Sequence, residues 1–323
     1  MYSSAKETYN FIGNDNIEQF MLNSINSRKL HHAYLFSGTK GIGKATFAYR
    51  AARYILSNTF KENMNIDKSE KVSKLIEKNS HPDFISLEKD IDKERSIIEI
   101  DKVRECINFF NHTPTLGAYK ICIIDSLDDM NINSANALLK ILEEPQKNSL
   151  FFIISHSKEL LLPTIRSRCL NLRFNKFSDY EIKNFLNSKI LDEEMYDLNE
   201  VVSLSNGSVG RAFNLMSEDS QEIILKVKSL FSQYSDEGFQ KLKNVLIQSN
   251  KIDLFFELSL LIIDKTIKEL VFDEHNRDNK KINELFFLRT ETQRIYHEGK
   301  KYNNINSHMI LDLILLIKKK FYH

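Results

Sequence analysis

The sequence is poor in cysteine, proline, glycine and tryptophan, and these shortages exclude several classes of protein. Its 323 residues include three cysteines, four prolines, nine glycines and no tryptophan. The cysteines, Cys106, Cys122 and Cys169, form no CxxC pair, which argues against a disulfide framework and a thiolate zinc site and fits a reducing cytosol. The scarcity of proline and glycine disfavours a turn-rich all-β architecture and favours helices.

Charge and hydropathy exclude two further classes. Lys and Arg number 45 against 44 Asp and Glu, and a formal net charge of +1 excludes a globally basic nucleic-acid binder, although a local basic patch stays open. No apolar run approaches the ~20 residues of a membrane span, and residues 1–7 have no apolar signal core. We therefore expect a soluble, cytoplasmic protein with no membrane partner. At about 100–200 residues per domain, the length predicts two or three domains.

The order of the apolar runs predicts an α/β domain over residues 1–174. Short apolar strands alternate with helices, which indicates a parallel sheet covered on both faces. The predicted strands are 33–36, 83–87, 96–100, 119–125, 150–155 and 169–174. After residue 174, apolar residues recur at helical spacing and no convincing strand is found. This pattern predicts a small helical domain at 175–218 and a helical domain at 219–323. Residues 58–80 have few apolar positions, and we predict an exposed helix-and-loop insertion there.

A glycine-rich segment follows the first predicted strand. Gly38 to Lys44 fits G-x-x-x-x-G-K between a strand and a helix, which is the context of a P-loop. Backbone N–H groups converge on phosphate oxygens in such a loop because it contains Gly38, Gly41 and Gly43, and Lys44 neutralises the outer phosphates. The alternative is a glycine-rich turn that binds nothing.

Two departures weaken this nucleotide site. A full P-loop NTPase has Ser or Thr directly after the lysine to hold Mg²⁺, but here the residue is Ala45, and Thr46 lies about a quarter-turn of helix further on. Asp125 ends an apolar strand and is either a ligand of Mg²⁺-bound water or an ordinary strand-end acid. Ser126 follows it and cannot act as a carboxylate base. The pattern predicts a site that binds nucleotide weakly and hydrolyses it poorly.

Four motifs resemble the AAA+ subunits of bacterial clamp loaders, and most of all the delta-prime type of DNA polymerase III, in a form similar to that of alphaproteobacteria. They are Leu30-His31-His32-Ala33-Tyr34-Leu35-Phe36, Asn136-Ala137-Leu138-Leu139-Lys140-Ile141-Leu142-Glu143-Glu144-Pro145, Leu162-Pro163-Thr164-Ile165-Arg166-Ser167-Arg168-Cys169 and Gly207-Ser208-Val209-Gly210-Arg211-Ala212. The resemblance covers about 12–216. It implies an AAA+ P-loop sheet domain at 1–174, a small helical lid at 175–218 and an all-helical collar at 219–323.

The resemblance also implies roles for single residues. Arg168 matches the arginine finger that reaches a neighbouring subunit's ATP, although alone it would be interpreted as a surface arginine. Ser155 matches a polar sensor at a strand end, and Arg211 matches the arginine that senses nucleotide from the second domain. Motor subunits of the family carry four zinc-binding cysteines, whereas 58–80 contains none, so we expect no metal.

The implied partners are the tau/gamma and delta subunits in a five-subunit ring, together with the sliding clamp and primed DNA. No cofactor is required under this interpretation, and ATP with Mg²⁺ binds weakly at most. Three functions stay open: a non-motor clamp-loader subunit, an autonomous AAA+ ATPase of the tau/gamma or DNA-remodelling type, and a nucleic-acid-binding module without nucleotide function. Ala45 and Ser126 favour the first and predict little ATPase activity for the isolated chain, while the neutral charge counts against the third.

Overall fold

The computed structural model describes residues 4–59, 62–89, 97–189, 197–232, 235–249, 251–272, 278–301 and 307–321. These residues form two compact units, one of Met1–Ile190 with Asn206–Arg211 and one of Leu191–Ser205 with Ala212–His323. The first unit contains a parallel sheet of five strands within the described ranges. They are β1 (Ala33–Ser37), β2 (Phe84–Glu88), β3 (Lys120–Asp125), β4 (Ser149–Ser155) and β5 (Leu170–Arg173).

The strand order across the sheet is β2-β3-β4-β1-β5, and every pairing is parallel. β1 therefore lies between β4 and β5, with Ser37 opposite both Ser155 and Arg173. In β2 and β3 the last residues, Glu88 and Asp125, face each other across the ladder. The carboxyl ends of all the strands thus meet at one edge, where the segments after β1, β3 and β4 come together.

Helices cover both faces of the sheet, as the fully apolar strands predicted. On one face, Phe36 packs against Phe47 with ring centroids 5.5 Å apart, and on the other Phe151 packs against Phe110 at 4.5 Å. The predicted α/β fold class is confirmed. The helices of this unit are α1 (Asp15–Asn26), α2 (Lys44–Ser57), α3 (Lys71–Glu77), α4 (Ile100–Phe110), α5 (Ile132–Glu143), α6 (Pro163–Arg166) and α7 (Asp179–Asn187).

The described part of the second unit is entirely helical. Its longest helices pack on each other through buried apolar residues such as Phe255, Phe256 and Leu288, and Arg289 Nε donates to Asp264 Oδ1 at 2.6 Å. Its helices are α8 (Leu198–Ser205), α10 (Glu218–Ser232), α11 (Asp236–Ser249), α12 (Ile252–Phe272), α13 (Asn279–Lys301) and α14 (Ser307–Phe321), while α9 (Val209–Leu215) runs from the first unit into the second. The boundaries of a lid at 175–218 and a collar at 219–323 stay a prediction.

One local prediction is wrong, and a second is right only in part. The strand expected at 96–100 is reduced to one parallel bridge between Ile98 and Met130, because α4 already begins at Ile100; residue 96 lies outside the described residues. The 58–80 segment is not simply exposed. Its few apolar side chains are buried, and α3 contacts α2, so this segment adds to the core of the first unit. The buried apolar residues are Met64, Ile66, Val72 and Ile76.

Candidate nucleotide site and arginine site

The P-loop joins β1 to α2 at the carboxyl edge of the sheet. Gly43 is the N-cap residue of α2 and has a φ of 92°, a left-handed conformation that favours glycine. Gly41 has a φ of 79°, and a Cβ there would lie 2.5 Å from the Oγ of Ser208. The predicted glycine-rich loop therefore has both the strand-to-helix context and the close backbone approach that the motif requires.

The ammonium group of Lys44 is buried inside this loop. Lys44 Nζ donates to the carbonyl oxygens of Gly38 at 2.5 Å and Thr39 at 2.6 Å. Burial lowers the pKa of Lys44 to about 8, against the opposing attraction of Asp125 and Asp128. The lysine is thus hydrogen-bonded by the loop that would otherwise present it to a phosphate.

Asp125, the last residue of β3, lies on the same edge. Burial raises its pKa to about 6, and the neighbouring carboxylate of Glu88 adds to this effect, while Lys44 opposes it. Glu88 is itself held by Tyr49, whose hydroxyl donates to Glu88 Oε1 at 2.5 Å. Asp125 and Lys44 are therefore poorly solvated groups that influence each other's pKa through their opposite charges, as expected of a P-loop lysine and a strand-end acid.

The residues that would complete magnesium binding do not fit that role. Ala45 has no hydroxyl, and Thr46 is one residue further along α2 and half-buried. The Ser126 hydroxyl donates to Asp129 Oδ2 at 2.8 Å, so it holds a neighbouring acid instead of supplying a base. The glycine-rich backbone fits a phosphate group, but the side chains present do not form a magnesium site of the usual P-loop kind.

A hydrogen-bond cluster at the end of β4 was missed by the sequence reasoning. Ser155 Oγ donates to Asp128 Oδ1 at 3.1 Å, and the backbone amides of His156 and Ser157 donate to the same carboxylate at 2.6 and 3.2 Å. Burial, followed by the nearby Lys44 charge, lowers the pKa of His156 to about 4. Two signals could have shown this cluster: an acid three residues after Asp125, and a histidine directly after an apolar strand.

The segment 206–211 lies against the P-loop within the first unit. Ser208 Oγ donates to the carbonyl of Lys40 at 2.9 Å, and the amide of Gly210 donates to the carbonyl of Gly41 at 2.8 Å. The amide of Arg211 in turn donates to Ser208 Oγ at 3.2 Å. The structure therefore brings the predicted sensor arginine next to the predicted phosphate loop.

Arg168 lies elsewhere, at the amino edge of the sheet. It follows α6 and precedes β5, whose first residue, Leu170, pairs with Tyr34 near the start of β1. Its guanidinium is 33% exposed; Nη1 donates to the carbonyl of Thr164 at 2.8 Å, and Nη2 lies 2.7 Å from Glu143 Oε1. The length of the sheet thus separates Arg168 from the predicted site residues around the P-loop.

Among the described residues, no group of three or more His, Cys, Asp or Glu side chains is placed to hold a metal ion, and the expectation of no zinc stays a prediction. Within the same ranges, none of the helices combines the length and the apolar character needed to cross a bilayer.

A five-stranded parallel sheet with a P-loop between β1 and α2, and a polar residue ending β4, defines this chain as an AAA+-type P-loop protein. A family model described as "DNA polymerase III, delta subunit" matches residues 13–178. The chain belongs to that family.

Named relatives agree with this assignment. The chain is 32% identical to the DNA polymerase III subunit delta' of Pseudomonas aeruginosa over 67% of this chain and 66% of the relative. It is also 32% identical to the DNA polymerase III subunit gamma of Buchnera aphidicola over 64% of this chain and 56% of the relative. The subunit delta' of Bacillus subtilis is 29% identical over 69% of this chain and 66% of the relative. The chain thus spans between about half and two thirds of the length of these relatives.

Proposed function

We propose that this chain is a non-motor, delta-prime-type subunit of the DNA polymerase III clamp loader. It supports ATP-driven loading of the sliding clamp onto primed DNA by giving Arg168 to the ATP site of a neighbouring subunit. The observation that carries the proposal is the position of Arg168 at the opposite edge of the sheet from the P-loop. At about 3.3 Å per strand residue, the two are separated by more than an arginine side chain can reach. A partly exposed guanidinium in that place serves a neighbour better than its own loop.

The chemistry suits a guanidinium. Phosphoryl transfer places negative charge on the oxygens of the transferring group, and an arginine supplied from another subunit stabilises that charge. Arginine keeps its positive charge at every physiological pH and presents planar, paired donors to phosphate oxygens. Among the described residues, Arg168 makes one hydrogen bond and one ion pair, and these leave further N–H groups of the fork for phosphate.

The chain's own nucleotide site supports a non-motor role. Lys44 is satisfied by the carbonyls of Gly38 and Thr39, Ala45 offers no ligand to Mg²⁺, and Ser126 offers no carboxylate to activate water. ATP therefore binds weakly, if a phosphate displaces the loop carbonyls from Lys44, and its hydrolysis is slow. The Arg211 amide holds Ser208, which bonds to this loop, and Ser155 holds Asp128, so both contribute to the structure of the site rather than to turnover.

The helical second unit supplies the contacts that hold the chain in its complex. It exposes large apolar side chains on its helices, which favour subunit contacts over chemistry. These exposed residues are Leu225, Val271, Phe272, Phe286, Phe287 and Leu315. The proposed partners are the delta and tau/gamma subunits of a five-subunit ring.

A motor ATPase of the gamma type is the second candidate. It is favoured by the identity of 32% to a gamma subunit, equal to that with a delta' subunit. A gamma-type motor would hydrolyse ATP at its own P-loop and would need Lys44 for its activity. The proposed subunit would neither hydrolyse ATP there at an appreciable rate nor need Lys44 for clamp loading.

Substitution of Arg168 tests the proposal. The complex is assembled from this chain and its delta and tau/gamma partners, and its ATPase activity is measured with clamp and primed DNA. Loss of an arginine finger costs on the order of 10³-fold or more at the affected site, so Arg168→Ala should lower the activity of the whole complex by a smaller factor, since the other interfaces are intact. Arg166→Ala, two residues away, is the matched control. Wild-type activity of the Arg168→Ala complex would overturn the proposed function.

A further inference from the structure

The guanidinium of Arg168 is fixed from two sides. One nitrogen donates to the Thr164 carbonyl in α6, and the other lies 2.7 Å from the carboxylate of Glu143 at the end of α5. These contacts come from two different helices, so the orientation of the side chain is tied to both. Because arginine carries a large side-chain entropy, a free guanidinium would sample many orientations, and the two contacts restrict them.

The position of Glu143 is unfavourable for its own helix. It is the last residue of α5, where the carbonyl groups at the helix end create a negative potential that disfavours a carboxylate. Glu143 is 47% exposed and packs little, so it does not contribute to the core. Among the described residues, its ion pair with Arg168 offsets the cost of a negative charge at this place.

We propose that Glu143 is a positioning residue for the arginine finger: its carboxylate orients the Arg168 guanidinium toward the phosphates of the neighbouring subunit. This inference rests on the proposed function, since it requires Arg168 to act on a neighbour's ATP. Glu143 touches no phosphate itself. It acts by holding one edge of the guanidinium, so that the remaining N–H groups meet the phosphate oxygens without first being ordered.

The kinetic consequence is specific. An oriented guanidinium stabilises charge that develops in the transition state, so its loss lowers the turnover number with little change in the KM for ATP. A merely structural role would instead change folding or assembly. If Glu143 acts through Arg168, its removal should also have no further effect once Arg168 is alanine.

Glu143→Gln in the assembled complex is the experiment. We expect assembly and thermal melting to be unchanged and the ATP turnover number with clamp and DNA to fall about twofold, less than for Arg168→Ala, because the guanidinium is kept but its orientation is loosened. Glu143→Asp keeps the charge with a shorter reach and should recover part of the loss. The double variant Glu143→Gln, Arg168→Ala should match Arg168→Ala alone.

Glu144→Gln is the matched control, because it makes the same charge change one residue along and should leave turnover unchanged. A wild-type or higher turnover for Glu143→Gln, with Arg168→Ala still impaired, would overturn this inference and leave the proposed function intact. An equal loss from Glu144→Gln, or an additive loss in the double variant, would also overturn it. If Arg168→Ala itself is without effect, the proposed function fails.

Discussion

The amide nitrogen of Gly210 lies 2.8 Å from the carbonyl oxygen of Gly41, and this hydrogen bond closes the segment 206–211 onto the P-loop. The contact is made without side chains. A Cβ built on Gly210 would come 3.0 Å from both the Cα and the carbonyl oxygen of Gly41. The two backbones therefore approach as closely as they do only because both residues are glycine.

Gly210→Ala should destabilise the protein even though Gly210 lies in α9. Alanine normally stabilises a helix by up to about 1 kcal/mol relative to glycine, but here its methyl group would push against rigid backbone, an overpacking that costs about 1–3 kcal/mol. We expect a lower free energy of unfolding in urea. Gly117→Ala is the control, because its Cβ would meet Leu56 at an ordinary 3.5 Å. Equal effects from the two variants would contradict this explanation.

The isolated chain should have little ATPase activity. Lys44 is hydrogen-bonded to its own loop, and Ala45 and Ser126 provide neither the metal hydroxyl nor the catalytic carboxylate. Steady-state phosphate release should therefore stay well below about one turnover per second, a rate at the low end of the range for true enzymes. Lys44→Ala in the complex should leave clamp loading nearly intact. Rapid turnover by the isolated chain, abolished in Lys44→Ala, would establish the gamma-type motor instead.

Asp125 should make stability depend on pH. Its pKa rises from an ordinary 3.8 to about 6 on folding, mainly because of burial, so the folded state holds the proton more tightly. The resulting stability is fully present below pH ~3.8 and is lost as the pH rises through ~6. Asp125→Asn, which mimics the neutral form, should therefore be more stable than wild type at pH 7 by about 3 kcal/mol, with a smaller difference at pH 4.

Urea unfolding at both pH values measures this difference. Asp101→Asn on α4 is the control, because it makes the same change of side chain at an exposed position. If the Asp125→Asn and wild-type curves differ equally at pH 4 and pH 7, the carboxyl group is not titrating as its burial implies.

Asp83 should be essential for the loop that precedes β3. Its buried carboxylate accepts the backbone N–H groups of Thr115 and Leu116, both at 2.6 Å, and of Gly117 at 3.0 Å. Asp83→Asn places an amide donor against these donors, and we expect a loss of about 2–4 kcal/mol in unfolding free energy. Hydrogen exchange should show lost protection of these three amides before those of β3. Unchanged exchange at Thr115 would contradict this role.

Much of the fold followed from the sequence because its signals are local. Fully apolar runs marked the strands, and the glycine spacing with Lys44 marked the P-loop. The burial of part of the 58–80 segment was not predicted because the segment has few apolar residues among many polar ones. Two of them, Val72 and Ile76, nevertheless lie on the buried face of α3. Ile98 was misjudged because a β-branched, apolar residue favours a strand, whereas here it makes only one bridge.

The candidate sites were predictable in part. Motif spacing located Lys44, Asp125 and Arg168, since each belongs to a contiguous pattern. The partners of these residues come from distant segments and leave no such pattern. Glu143 contacts Arg168 because the end of α5 lies beside the segment that leads into β5. Three donors contact Asp128 because β4 ends beside the turn that follows β3.

The placement of Arg168 and the P-loop at opposite edges of one sheet gives this protein a polarity. A subunit that offers an arginine from one side and a phosphate loop from the other makes head-to-tail contacts, in which the two surfaces that meet are different. Lys44 is held by the carbonyls of Gly38 and Thr39, and Gly210 bonds to Gly41 of the same loop. Under the proposed function, this chain would therefore supply an arginine to the subunit on one side and need none from the subunit on the other. In the proposed complex, this chain therefore occupies the terminal position in the series of ATP sites that hydrolyse nucleotide.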